Sequence, residues 1–321
     1  MTRFLVERAL QSLIVLLVMS FVIYTLMGLM PGDPVDAMIA ADPRITSEEA
    51  AELRALYGLD RPLLERYGNW LKAAIAGDFG FSRLHARPVE AVLLPALGNT
   101  LYLMGGSFLL SLLIAIPLGV FAAAKPYSRL DYGVNLMAFA GISVPSFWLA
   151  LLLIMVFSVW LGVLPAGGMG TVGEGGFSDT ARFAVLPVLS LTIASVGSHI
   201  RYVRAAMIET LGQDYVRTAR AKGLSQRRVL FGHALRNGMI PVVTIIALDF
   251  GFLFSGALIT ETIFAYPGMG KLIFDAVMGN DYNLALVALL FATLVTLAGN
   301  FLADVCYVGL DPRITYQDLQ R

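Results

Sequence analysis

The sequence predicts an all-α integral membrane protein with six transmembrane helices and a small helical extramembrane subdomain between the first two. Of its 321 residues, 57% are hydrophobic and only 14% are charged, whereas soluble domains carry roughly 25% charged residues. The apolar residues form continuous runs long enough to cross the hydrocarbon core, which takes about 20 residues. Because lipid offers a backbone no hydrogen-bond partners, such runs are expected to be helical. A transmembrane β-barrel would instead need alternating segments of about ten residues.

The first apolar run extends from Ala9 to Met30 and predicts a first transmembrane helix within residues 1–30. The alternative is a cleaved signal peptide, but its apolar region would span only about 7–15 residues. Pro31 and Gly32 follow the run, and they are expected to end the helix because proline cannot continue it.

The polar region that follows, residues 31–95, predicts a folded subdomain rather than a linker. Two stretches in it, Ile45–Tyr57 and Arg61–Ala76, have the pattern of short amphipathic helices. The first of them has a hydroxyl residue, Thr46 or Ser47, in position to cap its N-terminus.

Gly77–Ser82 predicts a turn, after which the chain returns to the membrane. Five further apolar segments follow and make residues 96–309 a five-helix core, with residues 310–321 as a polar tail. Pro165–Gly176, between the third and fourth spans, predicts a flexible loop. The five segments are Gly98–Ala124, Val134–Leu161, Phe183–Met207, Met239–Phe264 and Leu284–Val308.

The distribution of Lys and Arg predicts the orientation of the six spans. Fourteen of the 23 Lys and Arg lie at the termini and in the loops of one face, against two in the short loops of the other face. Short cytoplasmic loops are the ones enriched in these residues. Both termini are therefore predicted to be cytoplasmic, with residues 31–95 outside. The formal net charge is zero, so the composition gives no indication of nucleic-acid binding.

One stretch of the core, Tyr215–Pro241, is polar and basic, and it lies in a predicted cytoplasmic loop over residues 208–238. Asp214 favours a helix start, Gly223 can end that helix in the left-handed conformation, and Ser225 can cap the next helix. The pattern predicts two short helices joined by a glycine. A basic loop held near anionic headgroups is the alternative, but small residues beside a helix break suit close docking to another protein.

The motif from Arg217 to Gly223, Arg-Thr-Ala-Arg-Ala-Lys-Gly, resembles the "EAA" loop of binding-protein-dependent ABC importer permeases. Arg217, Thr218 and Ala219 occupy the Glu-Ala-Ala positions of that loop. Arginine at the first position is usual in one branch, the dipeptide/oligopeptide/nickel permease family. Six further stretches resemble that branch, in order along the chain: Pro31–Pro34, Tyr57–Pro62, Gly77–Gly80, Ser143–Trp148, Glu261–Gly270 and Leu310–Ile314.

The resemblance implies the type I importer permease fold and a multi-pass subunit of the bacterial inner membrane. Such a permease forms half of a translocation pathway with a second, homologous permease subunit. Two ATP-binding subunits would bind ATP and Mg, so no cofactor is expected in this chain, and a periplasmic substrate-binding protein would deliver the solute. The resemblance also implies an ATPase-coupling loop that acts through Arg217, Thr218, Ala219, Gly223, Arg227 and Arg228.

The solute implied by the resemblance is a dipeptide or oligopeptide, although similar permeases handle nickel chelates and glutathione. A self-sufficient secondary carrier is the less favoured alternative. Such carriers are expected to show broken-helix repeats, and no clear inverted repeat is seen in this sequence. Two roles for residues 31–95 stay open at this point. They can form a docking or gating surface for the binding protein, or a lid that stabilises the permease pair.

The sequence predicts no enzymatic activity for the chain itself. It contains no Gly-x-x-x-x-Gly-Lys-Ser/Thr string for binding nucleotide phosphates. The nearest string, Gly268–Leu272, lacks the spacing and the hydroxyl, and it is interpreted as a turn after the fifth span. His85, His199 and His233 are too far apart in sequence to have metal-ligand spacing.

Three polar residues in the predicted spans are candidates for the pathway or for helix packing. Asp249 is placed about nine residues into the fifth span, where Asn300 of the sixth span could share a hydrogen bond with it. Glu261 is placed near the outer end of the fifth span. Intramembrane ionisable residues are functional candidates by default, and a carboxylate in the pathway could meet a peptide amine. The alternative is a polar contact that fixes helix packing.

Overall fold

The computed structural model describes residues 2–29, 35–36, 39, 44–56, 60–173, 176–240, 242 and 257–310, with side chains described from residue 6 to residue 305. The described chain is mostly helical, with two π-helices, Ile154–Trp160 and Arg228–Ala234, and one short hairpin. The α-helices are α1 (Thr2–Gly28), α2 (Ser47–Leu56), α3 (Leu63–Ile75), α4 (Val89–Ala124), α5 (Arg129–Ser143), α6 (Ser146–Leu153), α7 (Phe177–Leu211), α8 (Asp214–Ala221), α9 (Met269–Met278) and α10 (Tyr282–Leu310).

Four of these helices, α1, α4, α7 and α10, are long and apolar enough to cross a membrane. Helix α5 and the segment that follows it up to Trp160 pass the same test only as a pair. Up to five spans are therefore present among the described residues. The predicted fifth segment, Met239–Phe264, lies largely outside them, so the total of six spans stays a prediction.

The predicted third span, Val134–Leu161, is not one straight helix. The chain bends by 99° between α5 and α6, where Val144 has an extended conformation (φ −87°, ψ 124°) and Pro145 precedes the first residue of α6. Proline disfavours the helical conformation in the residue before it. By contrast, Pro117 and Pro187 lie inside α4 and α7 without ending them.

The centre of the molecule is a close packing of α4, α5 and α7. A Cβ atom at Gly119 of α4 would lie 2.7 Å from Val203 of α7, and one at Gly197 of α7 would lie 2.3 Å from the carbonyl oxygen of Ala138 in α5. Small residues let membrane helices approach to this distance. The glycines therefore fix how closely these three helices pack.

Helices α1 and α10 form a second, antiparallel pair. Arg8, near the start of α1, forms an ion pair with Asp304, near the end of α10. At the opposite end, Ile23 and Met27 share a buried apolar cluster with Leu284. That cluster also includes residues of α4 and α9, so it joins the helix pair to the rest of the molecule.

The region between α1 and α4 contains the two predicted helices and an element that the sequence did not predict. Helix α2 begins after Thr46, whose Oγ1 accepts from the Glu49 amide at 3.3 Å while Glu49 Oε2 accepts from the Thr46 amide at 2.8 Å. This reciprocal pair is a capping box. Where the sequence predicted only a turn, strands β1 (Phe81–Ser82) and β2 (Arg87–Pro88) form an antiparallel hairpin.

The hairpin and α3 are both fixed to membrane helices. The Tyr67 hydroxyl of α3 lies 2.7 Å from Ser20 Oγ of α1. Asp281, buried just before α10, accepts from Ser82 Oγ at 2.6 Å and from the Leu84 amide at 3.0 Å. A buried carboxylate must be hydrogen-bonded to be tolerated, so Asp281 holds the hairpin against the turn that precedes α10.

Candidate functional site

The predicted cytoplasmic loop folds as two helical pieces joined at a glycine. We name residues 214–240 the coupling segment after the role predicted for them. Helix α8 ends at Ala221, and Gly223 has φ +77°. This left-handed conformation favours glycine. The predicted role of Gly223 in ending the first helix is confirmed.

The buried face of the coupling segment is apolar. Val216 and Ala219 of α8 pack against Val229 of the second π-helix. Ala219 is only 6% exposed, so its small side chain serves close packing between the two pieces of the segment. It is not part of the outer surface.

The exposed face of the coupling segment is basic. Asp214 is its only acidic residue, and the Arg217–Asp214 pair is long, at 3.4 Å, with both side chains mostly exposed. Such a pair contributes little stability, so the Arg217 side chain is available to another molecule. The exposed residues of this face include Arg217, Thr218, Arg220, Lys222, Gly223, Arg227, Arg228 and Arg236.

The second piece of the segment is partly a π-helix, Arg228–Ala234, where the sequence predicted an α-helix capped by Ser225. No cap from the Ser225 side chain is present; its carbonyl accepts from the Val229 amide at 3.0 Å. The Leu235 amide donates to the Leu230 carbonyl, five residues back. π-Helices are rare and frequently occur at functional sites.

The coupling segment is packed onto the membrane helices. Leu230 and Ala234 share a buried cluster with Val203 and Met207 of α7. On α4, the Phe121 ring meets the Phe231 ring edge-on at 6.3 Å. The exposed basic face therefore belongs to a segment whose opposite face packs against α4 and α7.

At the other end of the molecule, Glu261 lies at the centre of a buried polar cluster. The side chain is fully buried, and its Oε1 accepts from Thr100 Oγ1 at 2.5 Å. Its Oε2 accepts from the amides of Gly270 and Lys271 at 2.7 and 3.1 Å. The carboxylate thus lies at the N-terminus of α9, where the helix dipole favours negative charge.

The string that begins at Gly268 opens α9, so its interpretation as a turn was wrong. A Cβ at Gly268 would lie 2.3 Å from the Glu261 carboxylate carbon. The Met269 amide donates to Thr100 Oγ1 at 2.7 Å. The glycine is required because the carboxylate must approach the first amides of the helix.

The loop over residues 165–173, predicted to be flexible, contacts the residues that follow Glu261 in the chain. The Gly168 amide donates to the Phe264 carbonyl at 2.8 Å, and a Cβ at Gly167 would lie 2.3 Å from the same oxygen. Met169 packs against a cluster that contains Tyr266. The two glycines allow close approach of two backbones, and the flexibility of the loop stays a prediction.

The structure does not test the predicted contact between Asp249 and Asn300. Asp249 lies outside the described residues, and Asn300 is half-buried in α10. His199 is buried in α7 with its Nδ1 2.7 Å from Ser111 Oγ. Within the described residues, no group of three His, Cys, Asp or Glu side chains is arranged to hold a metal ion.

Sequence reasoning missed one buried ion pair, between Asp131 of α5 and Arg204 of α7. Arg204 donates through Nε and Nη2 to the two carboxylate oxygens at 2.6 and 2.7 Å. The available signal was two opposite charges at the borders of predicted spans on the same face. Because the two residues are 73 positions apart, the sequence alone did not indicate that they pair.

Comparison with known proteins identifies relatives over the whole length. Residues 115–316 match the family described as "Binding-protein-dependent transport system inner membrane component", and residues 1–100 match its N-terminal family. The "Oligopeptide transport system permease protein AppB" of Bacillus subtilis is 39% identical over 98% of this chain and 100% of its own. The "Di/tripeptide transport system permease protein DppB" of Pseudomonas aeruginosa is 37% identical over 92% of this chain and 93% of its own.

Similarity to solved structures supports the fold. The chain matches an inward-facing structure of the MetNI methionine ABC transporter with a TM-score of 0.55 and 15% identity. The match covers 68% of this chain and 95% of that one. At this identity the likeness concerns the fold alone.

Proposed function

The chain belongs to the family of binding-protein-dependent transport system inner membrane components, and we propose that it carries dipeptides or oligopeptides as the permease subunit of an ABC importer. Membership of the family makes it a multi-pass inner-membrane permease, not an enzyme. The peptide substrate is inferred from relatives named as oligopeptide and di/tripeptide permeases that align over nearly the full chain. That full-length similarity is the observation that carries the proposal.

The coupling segment supports a role as the contact with a separate ATP-binding subunit. Its outer face presents Arg217, Thr218, Arg227 and Arg228 to solvent, and Gly223 sets the angle between its two pieces. Since its inner face is packed on α4 and α7, a push on α8 would be passed to the membrane helices rather than absorbed locally. An acidic surface on the ATP-binding subunit would complement this face.

The assembly proposed for the chain has four kinds of component. A second permease subunit completes the pathway, two ATP-binding subunits hold ATP and Mg, and a periplasmic binding protein delivers the peptide. The excess of Lys and Arg on one face supports cytoplasmic termini. In that orientation the coupling segment faces the ATP-binding subunits.

The contacts of Glu261 support a packing role rather than a place in the solute pathway. Its carboxylate receives one hydroxyl and two amide donors from within the chain, and the side chain is fully buried. Asp249 and Asn300 stay proposed as pathway or packing residues. For residues 31–95, the contacts of Tyr67 and Ser82 hold the region on the membrane helices of its own chain, and the docking surface and the lid both stay proposed.

Reconstitution of the complete transporter in proteoliposomes tests the proposal. We expect uptake of labelled peptides that requires both ATP and the binding protein, and we expect the binding protein to release heat with peptide mixtures in isothermal titration. Nickel chelates and glutathione serve as controls and should give neither signal. Uptake without ATP would contradict the importer assignment, whereas binding of nickel or glutathione alone would contradict only the peptide assignment.

A further inference from the structure

A buried ion pair joins α5 to α7 at the end of the molecule that carries the coupling segment. The Arg204 guanidinium meets both oxygens of the Asp131 carboxylate, at 2.6 and 2.7 Å. The Asp131 side chain is 3% exposed. Because a bidentate arginine–carboxylate pair is strong and restricts geometry, it fixes the position of the first turn of α5 relative to α7.

The Asp131 carboxylate has no acceptor position left for another partner. Besides Arg204, Oδ1 accepts from Asn135 Nδ2 at 2.7 Å and Oδ2 accepts from the Tyr127 amide at 2.8 Å. Opening the ion pair would leave a buried carboxylate without its counter-charge, which is strongly unfavourable. The pair is therefore built to stay closed when the molecule changes shape.

The same interface is interlocked through its backbone. A Cβ at Gly197 of α7 would lie 2.3 Å from the Ala138 carbonyl oxygen, and one at Gly141 of α5 would lie 3.1 Å from the Ile193 carbonyl oxygen. Helices this close cannot slide past one another without side-chain or backbone collision, because packed interiors are dense. The ion pair and these glycine contacts thus restrain α5 against α7 at two different positions along the helices.

Arg204 is also adjacent to the attachment of the coupling segment. Leu230 and Ala234 of the second π-helix pack on Val203 and Met207, the residues just before and shortly after Arg204. Helix α7 then continues to Leu211, only three residues before α8 starts. A displacement of the coupling segment would therefore move the part of α7 that contains Arg204.

We infer that Asp131 and Arg204 are positioning residues whose ion pair makes α5 move with α7 and the coupling segment as one rigid unit during transport. The inference rests on the proposed function. Helix α5 leads through the bend at Val144 and Pro145 into α6, the first π-helix and the loop that contacts Phe264. Movement delivered at the coupling segment would reach the opposite end of the molecule along this route.

The first test uses Asp131→Asn in the complete transporter. We expect solute-stimulated ATP hydrolysis and peptide uptake to fall about tenfold or more, because breaking a buried pair leaves one charge uncompensated. Both quantities are normalised to the amount of assembled complex, and the unstimulated ATP hydrolysis of that complex should stay at the wild-type level. Glu65→Gln, which removes the exposed Arg61–Glu65 pair, is the matched control and should change neither quantity.

Rescue by a conservative variant separates positioning from a general loss of structure. Asp131→Glu keeps a carboxylate that can accept from Arg204, Asn135 and Tyr127, and it should retain a substantial part of the stimulation that Asp131→Asn loses. Full stimulation in Asp131→Asn would overturn the inference. So would an Asp131→Glu variant that assembles normally and is as inactive as Asp131→Asn.

A distance measurement tests the rigid unit without disturbing the pair. Spin labels at Leu136 of α5 and Ile208 of α7, both exposed, can be placed after Cys306, the only cysteine, is replaced by serine. We expect the same distance with and without ATP, and a change of several ångströms would overturn the inference. If the wild-type transporter shows no solute-stimulated hydrolysis at all, the proposed function fails, and not the role of the pair.

Discussion

The two ends of the molecule use polar residues in opposite ways. Around Glu261, the carboxylate, the Thr100 hydroxyl and backbone amides point inward and hydrogen-bond to one another. In the coupling segment, basic side chains point outward, and the single acid, Asp214, barely engages one of them.

The difference shows that the Glu261 carboxylate is hydrogen-bonded from within the chain, whereas the basic side chains of the coupling segment face solvent. A buried carboxylate that already accepts hydrogen bonds from a hydroxyl and two amides of its own chain gains little from a new contact. An exposed basic face gains from an acidic partner surface. These contacts are consistent with the proposed packing role of Glu261 and with the proposal that the coupling segment contacts an ATP-binding subunit.

Among substitutions at the two ends of the molecule, Gly223→Pro is expected to have the largest effect, which is on solute-stimulated ATP hydrolysis. Proline holds φ near −65°, which is incompatible with the φ of +77° at this position, so the two pieces of the coupling segment would lose their relative angle. We expect solute-stimulated ATP hydrolysis to be abolished while membrane insertion is retained. Gly232→Ala is the control, since a Cβ there meets nothing closer than 3.9 Å. Normal stimulation in Gly223→Pro would contradict the role of the segment as a lever.

A smaller effect, on stability rather than coupling, is expected from Glu261→Gln. The amide group would turn a donor toward Thr100 Oγ1 or toward the amides of α9, which leaves one buried donor unsatisfied at a cost of about 1–3 kcal/mol. We expect a lower Tm of the purified complex and an unchanged ratio of stimulated to unstimulated ATP hydrolysis. Asp275→Asn, in a partly exposed pair with Lys271, should leave Tm nearly unchanged. A wild-type Tm with altered peptide selectivity would instead indicate that Glu261 lines the pathway.

The smallest effect is expected from Arg217→Ala. Its pair with Asp214 is exposed and long, so the loss of folding stability should be below about 1 kcal/mol. Removing one charge from the rim of an interface should weaken association modestly and make ATP hydrolysis less sensitive to salt. A salt titration of hydrolysis for Arg217→Ala against wild type measures this, and identical salt curves would show that Arg217 does not contact the ATP-binding subunit.

Local features of the fold were predictable because they depend on neighbouring residues. Thr46 starts α2, and Gly223 ends α8, each through contacts or backbone geometry within a few residues. The bend at Pro145 was not predicted, although proline restricts the preceding residue. The continuous apolar run from Val134 to Leu161 predicted a single span, because hydrophobicity indicates burial in lipid but not a change in the direction of the chain.

Two glycine-rich stretches show a use of glycine that the sequence did not reveal. Glycine serves both as a flexible residue and as the residue that permits close approach, and the sequence does not distinguish these uses. Gly167 and Gly268 are of the second kind, because a Cβ at either would lie 2.3 Å from an atom of Phe264 or Glu261. Only the position of the neighbouring chain decides between the two.

The sequence by itself determined the membrane class, most of the helical segments, the basic character of residues 214–240 and the family, because these follow from composition, periodicity and local motifs. Tertiary structure alone decided the partners of the buried charges. Glu261 meets Thr100 across 161 residues, and Asp131 meets Arg204 across 73. A charge can be buried only where donors converge on it from several elements, and such convergence is a property of the packed helices and not of any one stretch.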